Sequence, residues 1–299
     1  MKLTKTLNIL VKRRAAIGDV IMTTGIVREL KRQYKDNADI YVATDCLEVY
    51  KNNPHVKAVI PFDGAKDQQF DVVYNLDDAY EYNPGVNYVD SYFYRVFGEA
   101  HATMNKEVEL FPTDEDAVFV DKIIADIGKN NYIVVHLRNW HWQAKNISMD
   151  VWFDVFIKLF EHDPELKVIT IGGPTDHSVD HPNFIDLRGN GVLNSQQMML
   201  LCEQAQCFVG IDSGPMQCAA ASLTPIVALL THLLPERILP HRAYVPGYKS
   251  VGINTLEDCK GCNDRQQLPV RQIVCEKGNY PCTNNFDTDK IAEEIIKTL

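Results

Sequence analysis

No run of about 18 apolar residues occurs in the 299-residue chain, so no helix of it is predicted to cross a membrane. The apolar run between Lys5 and Lys12-Arg13-Arg14 is too short for a secretory signal, and a cytoplasmic protein is expected. Neither a Gly-x-Gly-x-x-Gly fingerprint nor a Walker loop is present, which removes support for a nicotinamide-dinucleotide enzyme or a P-loop NTPase. No short-period repeat and no low-complexity tract occur, which argues against solenoids and disordered arrays. Positive charge is not in excess: 30 Lys and Arg stand against 40 Asp and Glu, and this balance disfavours a nucleic-acid partner. What remains is an ordinary globular composition, long enough for one large domain or two of usual size.

The charge is unevenly spread. Residues 1–35 hold nine basic side chains against Asp19 and Glu29, whereas the rest of the chain holds 21 basic and 38 acidic ones. A basic N-terminal face on an acidic protein suits an anionic partner or the inner face of a membrane. The plainer reading is a solvated strand and helix face.

The chain alternates between strand and helix patterns. Thr6–Val11 is a strand candidate, Ile17-Gly18-Asp19 a turn, and Val20, Val27, Leu30 and Tyr34 mark one face of a helix. Strands are expected at Asp39–Ala43, Ala58–Pro61 and Asp71–Asn75, with a short helix ending near Asn52-Asn53-Pro54. Residues 76–112 are rich in Tyr and Asn and yield one helix, around Ser91–Phe97. Asp114–Asp126 is helical and is broken by Gly128-Lys129-Asn130-Asn131. The alternation restarts with strand Tyr132–Leu137, helix 149–161, strand Leu166–Ile171, helix Asn194–Ala205, strand Cys207–Ile211, helix Pro215–Ser222 and strand Pro225–Leu230. A last helix, Asp289–Thr298, is expected to brace the two halves. Two such series imply an α/β fold of two doubly wound, Rossmann-like domains, residues 1–128 and 129–299, facing across a cleft. Ligands in such sheets bind beyond the carboxyl ends of the strands.

The most specific segment is Val209-Gly210-Ile211-Asp212-Ser213-Gly214-Pro215-Met216-Gln217-Cys218-Ala219-Ala220-Ala221. A buried strand runs into a small polar turn and a helix rich in small residues, with Pro215 suited to its first turn. Backbone N–H groups there would face a phosphate, Gly214 would allow close approach, and Ser213 would add a hydroxyl donor. A capped helix packed tightly on its sheet explains the same residues.

At these residues the chain resembles a known family. Ile211-Asp212-Ser213-Gly214-Pro215-Met216, followed by Ala219-Ala220-Ala221 and Thr224-Pro225-Ile226-Val227-Ala228-Leu229, is similar to the nucleotide-site signature of the bacterial ADP-heptose:lipopolysaccharide heptosyltransferases. Ala16-Ile17-Gly18-Asp19-Val20-Ile21-Met22-Thr23-Thr24 with Leu30 resembles that family's opening loop and first helix. Ile171-Gly172-Gly173-Pro174 and Asp186-Leu187-Arg188-Gly189 match in order between them. The resemblance covers roughly residues 6–240. It implies the GT-B fold, with the donor nucleotide mainly on the C-terminal domain, the acceptor on the N-terminal one, and inverting transfer without a catalytic metal. Where the family has a His near the donor phosphates, this chain has Gln217, which still donates a hydrogen bond but carries no charge.

Site roles follow from residue chemistry and from that resemblance. An inverting transfer needs a base at the acceptor hydroxyl, and Asp19, at the first strand–helix turn, matches the family's base. Its plainer role is a helix N-cap. Lys145 resembles the lysine that meets donor phosphate, where a cation stabilises the departing diphosphate; Arg138 could share that work, and both could equally be surface charges. Trp140 and Trp142 could stack on a sugar or a base, or simply pack. Gly172-Gly173-Pro174 could bring backbone close to the nucleoside, with Gly173 the expected contact and Asp176 or His177 a bonding partner; a simple turn accounts for it as well. Asp212 is expected to shape the turn or to touch the donor sugar.

Eight cysteines occur. Cys46, Cys202, Cys207 and Cys218 look like small core residues, whereas Cys259-x2-Cys262-x12-Cys275-x6-Cys282 has the character of a metal site inside a Cys-rich segment, 257–285. Four thiolates would hold a structural zinc or iron and leave no position for substrate. The whole therefore reads as an inverting glycosyltransferase that moves a sugar, heptose by resemblance, from ADP-heptose to an anionic glycan or glycolipid such as a lipopolysaccharide core. A nucleotide-sugar 2-epimerase of similar build and a non-catalytic carbohydrate- or partner-binding relative are the alternatives. Sugar, nucleotide, acceptor and oligomeric state are not legible in the residues.

Overall fold

Short runs of aliphatic and β-branched residues make every strand. The computed structural model describes residues 6–66, 68–98, 104–189, 191–242, 249–266 and 274–299. In the N-terminal half β1 (Leu7–Lys12), β2 (Ala38–Thr44), β3 (Ala58–Pro61) and β4 (Val72–Asn75) form a parallel sheet in the order β3-β2-β1-β4. In the C-terminal half β5 (Tyr132–Val135), β6 (Lys167–Thr170), β7 (Phe184–Asp186), β8 (Phe208–Ile211), β9 (Ile226–Leu230) and β10 (Ser250–Asn254) form a second, in the order β10-β9-β8-β5-β6-β7. Its pairs are parallel too. Strand order reverses beside β1 in one sheet and beside β5 in the other. These are the switch points at which doubly wound sheets hold ligands.

The helices are α1 (Ile17–Ile21), α2 (Thr24–Tyr34), α3 (Tyr88–Phe97), α4 (Asp114–Ile123), α5 (Met149–His162), α6 (Ser195–Glu203), α7 (Gly214–Ala220), α8 (Pro235–Ile238), α9 (Cys262–Gln266) and α10 (Thr288–Ile296). The helix expected from Val20 to Tyr34 is two helices. Thr23 donates its hydroxyl to the carbonyl of Val20 (2.7 Å) and Thr24 to that of Ile21 (2.8 Å), and such local bonds interrupt the backbone ladder. Strands β7 and β10 and helices α8 and α9 were not expected. The two strands sit at the edges of their sheet, and each is short and only half apolar.

The central strand β5 is buried on both faces. Tyr132 and Val134 point into one apolar cluster, Ile133 and Val135 into another, as a parallel strand covered on both sides requires. The first cluster also contains Ile9, Val11, Ile26 and Leu30, so a single apolar core runs from one sheet to the other. Asp116 at the start of α4 extends the junction by accepting from the amides of Asn194 and Gln197. Helix α10 packs against α5 and β9 within the C-terminal half.

Candidate active site

On the N-terminal side, the segments after β1 and β4 meet over Asp19. Asp19 is the third residue of α1, and Ala16 is the N-cap: Asp19 Oδ2 accepts the Ala16 N–H at 3.0 Å. The carboxylate therefore caps the helix from inside it. Oδ1 accepts the Tyr80 hydroxyl at 2.8 Å. Arg13 reaches Asp19 Oδ2 at 3.2 Å and Glu81 Oε1 at 3.1 Å, and donates to the Leu76 carbonyl. Burial opposes the charge on Arg13, but Tyr92, Asp19, Tyr80 and Glu81 outweigh it and hold the guanidinium firmly protonated. Burial raises the Glu81 carboxyl above its usual range. Tyr80 stacks on Tyr88 with ring centres 3.8 Å apart and meets Tyr92 edge-on.

Much of the basic N-terminal stretch turns out to be internally paired. Arg13 is 4% exposed. Arg28 binds Glu109 at 2.6 Å and the carbonyls of Asn105 and Glu107. Arg32 pairs with Glu29, and Lys31 donates to the Lys35 carbonyl. Of these, Arg28 ties α2 to the chain around residue 107.

On the C-terminal side, β5, β6 and β8 deliver three loops to one place. Lys145 Nζ donates to Asp212 Oδ2 at 2.6 Å and lies over the Trp142 ring at 4.9 Å. Burial opposes the Asp212 charge, but Lys145 holds its carboxyl below the usual range. Arg138 leans on the exposed Trp140. Burial lowers its pKa, with Asp176 and Asp212 the opposite charges that counter this. Among the described residues no hydrogen bond or ion pair of Arg138 is made, so it is the cation of this loop that is open to a ligand. The Gly173 N–H is taken by Asp176 Oδ2 at 2.7 Å. Ser213 is the N-cap of α7 without capping it: its hydroxyl stands 3.0 Å from His136 Nδ1 and 3.1 Å from the Ile211 carbonyl. The side chain expected to face a phosphate is thus turned into the wall. Pro215 sits in the first turn of α7, as its ring allows.

The two sides touch. A Cβ on Gly18 would stand 3.1 Å from Gly214 Cα and 3.4 Å from Gln217 Cγ, and one on Gly214 would collide with Ile17. Only residues without side chains let the helix of Asp19 approach the Asp212-Ser213-Gly214 turn so closely. Gln217 lies in this seam at 2% exposure, with both amide atoms buried and unpartnered. A buried amide in that state is costly until something bonds it.

Behind Lys145 a second cavity is lined by Cys259, Cys262, Cys275, Cys282, His232 and Tyr280. The four cysteines that the spacing grouped do converge. His232 also lines the Lys145–Asp212 cavity, packs on Trp142, and is kept neutral by burial, its pKa pushed down to about 3. Burial, helped by its three companion thiols, pushes Cys282 up to about 12. Among the described residues, the one group of three metal-type ligand atoms within 4.8 Å of one another is Glu257, Asp258 and Cys259. The four thiols therefore stand wider than the roughly 3.8 Å that a tetrahedral ion with bonds of about 2.3 Å would impose. Their identity and their shared cavity fit a soft metal.

Tyr80, Glu81, His136 and His232 were not singled out in the sequence as site residues. The one available signal was a polar side chain inside an apolar strand run, as in Val134-Val135-His136-Leu137.

No protein-family model matches the chain, and no curated protein matches it. Solved structures do. A glycosyl transferase family 9 protein from Veillonella parvula superposes with a TM-score of 0.72 at 17% identity, over 99% of this chain and 98% of that one. The ADP-heptose lps heptosyltransferase II of E. coli gives 0.70 at 16%, over 98% of each chain. An iron-containing dodecameric glycosyltransferase, TibC, from enterotoxigenic E. coli gives 0.70 at 17%, over 99% of this chain and 79% of that one. The fold of this chain is that of these proteins, two Rossmann-like halves in the GT-B arrangement.

Proposed function

We propose that the protein is an inverting glycosyltransferase, with an acceptor half around residues 1–128 and a donor half around residues 129–299. The donor is ADP-heptose or a close nucleotide sugar, and the acceptor is a glycan of the lipopolysaccharide-core kind. One observation carries this reading. The helix of Asp19 and the Asp212-Ser213-Gly214 turn, each beyond the carboxyl end of its own sheet, abut at Gly18 and Gly214. A carboxylate from one half and the cationic loop of the other are thereby brought to a common edge.

The chemistry follows from that placement. Asp19 takes the proton of the acceptor hydroxyl as its oxygen attacks the anomeric carbon. The bond from that carbon to the donor phosphate breaks on the opposite face, and its electron pair leaves with the diphosphate. Arg138 meets the growing negative charge, with Lys145, held on Asp212, adding its positive field beside it; a fixed cation stabilises that charge more in the transition state than before it. Gln217 has an unspent amide donor and acceptor at the seam and bonds the donor or the sugar. Tyr80 and Arg13 keep the Asp19 carboxylate aimed. No metal takes part in the transfer. Cys259, Cys262, Cys275 and Cys282 hold a structural iron or zinc, in keeping with the iron of TibC.

The test is transfer of labelled heptose from ADP-heptose to an extracted lipopolysaccharide core, with one ADP released per sugar moved. Epimerisation of a free nucleotide sugar without an acceptor, or binding with neither reaction, would overturn the reading. For the cysteines, elemental analysis under reducing conditions is expected to find about one ion per chain, and a chelator to lower the melting temperature. Near-zero metal with four titratable thiols would remove the site.

A further inference from the structure

Three loops of the candidate donor site end on one buried carboxylate. Asp176 Oδ1 accepts the Asn139 N–H at 2.8 Å, and Oδ2 accepts the Gly173 N–H at 2.7 Å. The same Oδ2 stands 3.1 Å from His136 Nε2, and His136 Nδ1 stands 3.0 Å from Ser213 Oγ. The chain ends of β5, β6 and β8 are therefore joined by a single line of hydrogen bonds. His136 is 1% exposed, Asp176 7% and Ser213 8%. The packing has no slack: Gly172 has a left-handed φ, and a Cβ there would collide with Asp176 and with the His136 ring.

The proton positions follow. An ionised carboxylate only accepts, so His136 Nε2 carries a proton toward Asp176. Burial disfavours a charged ring, so Nδ1 keeps its lone pair and takes the hydroxyl proton of Ser213. The competing acceptor for that proton, the Ile211 carbonyl, also lies inward. Either way Ser213 shows oxygen lone pairs, not a donor, to the ligand side. In a serine hydrolase the ring meets serine through Nε2 and aspartate through Nδ1. Here the order is reversed and the serine is buried, so the line is built to hold loops rather than to attack.

We propose that Asp176 and His136 are positioning residues of the donor site. They lock the Arg138-Asn139 backbone, the Gly172-Gly173 turn and the Asp212-Ser213-Gly214 turn in one register, so that Arg138 and the last turn face the same nucleoside diphosphate. The inference rests on the function proposed above and adds the device that shapes its donor pocket.

The probe is ADP, read by calorimetry without any transfer. Asp176→Asn keeps the shape but replaces one accepting oxygen by an amide N–H₂. It is expected to weaken ADP binding by about tenfold or more, while unfolding stays cooperative. Nitrogen-15 spectra of labelled histidine add a readout that a merely structural role would not move. Wild-type His136 should carry its proton on Nε2, the nitrogen that faces Asp176 Oδ2. His136→Gln, whose amide still bridges Asp176 and Ser213, should bind ADP better than His136→Ala. A wild-type proton on Nδ1 would overturn the proposal, as would wild-type ADP affinity in a folded Asp176→Asn. If Asp176→Asn does not fold, the wild-type spectrum and the His136 pair decide it. Wild-type protein that binds ADP but moves no sugar refutes the transferase reading alone; protein that binds no ADP overturns both.

Discussion

Asp19 serves three donors at once: Tyr80, Ala16 and the buried Arg13. Asp19→Asn is expected to lower turnover roughly 10²–10⁴-fold, because the base is gone, with ADP affinity nearly unchanged. As an N-cap replacement Asn would be harmless. From inside the helix it turns an N–H₂ toward Tyr80 or Arg13, and a cost of about 1–3 kcal/mol is expected in the urea midpoint. Near-normal turnover would remove Asp19 as the base. His136 sets a second residue-scale expectation. Burial lowers its pKa, and it is faced by Asp176, which opposes that shift, and by Arg138 and Lys145, which add to it. Below about pH 6.5 the unfolded chain takes up a proton that the folded chain refuses. Stability then falls by about 1.4 kcal/mol per pH unit until the folded pKa is reached. The lowered carboxyl of Asp176 acts in the same direction but only in stronger acid. Urea midpoints at pH 7 and pH 5 measure the drop. His136→Gln should reduce it and leave the part that His232, also kept neutral by burial, contributes; an unchanged drop in that variant would assign it elsewhere.

At the scale of elements, the loop after β5 carries two cations with different duties. Lys145 is spent on Asp212, which is largely buried. Lys145→Ala therefore strands a carboxylate and should cost about 3–5 kcal/mol in stability whatever it does to binding. Arg138 has no such partner, so Arg138→Ala is the cleaner probe. A loss of about 1.5–3 kcal/mol in ADP affinity is expected by calorimetry, with a smaller change in melting temperature. Wild-type affinity in that variant would move the phosphate site away from this loop.

At the scale of the molecule, the brace expected of the last helix falls to another segment, since α10 packs on α5 and β9. Arg237, 1% exposed on α8, stands 2.7 Å from Asp264 on α9 and donates to the carbonyls of Asn83 and Val86. Asn87 returns bonds to the carbonyls of Glu236 and Leu239. Arg237 also lies over Tyr88, which stacks on the Tyr80 that donates to Asp19. A cysteine-bearing helix is thus strapped to the acceptor half. Arg237→Gln leaves Asp264 unpaired and is expected to cost about 3–5 kcal/mol. Turnover should fall by a larger factor than ADP affinity, because the disturbance reaches Asp19 first. Equal losses in both would place the strap's influence on the donor side.

The residues alone determined the alternation of strand and helix, the two halves and the grouping of the four cysteines. These rest on local periodicity and spacing, which act within a few residues. The aim of Asp19 and Lys145 was decided only in three dimensions. Tyr80 reaches Asp19 from 61 residues away, Glu81 reaches Arg13, the other partner of Asp19, from 68, and Asp212 reaches Lys145 from 67. Whether a charge is paired depends on which strand ends the topology sets side by side, and no spacing rule carries that. The same holds for Ser213, whose hydroxyl turns inward because His136, just beyond the end of the apolar strand β5, waits there to accept its proton.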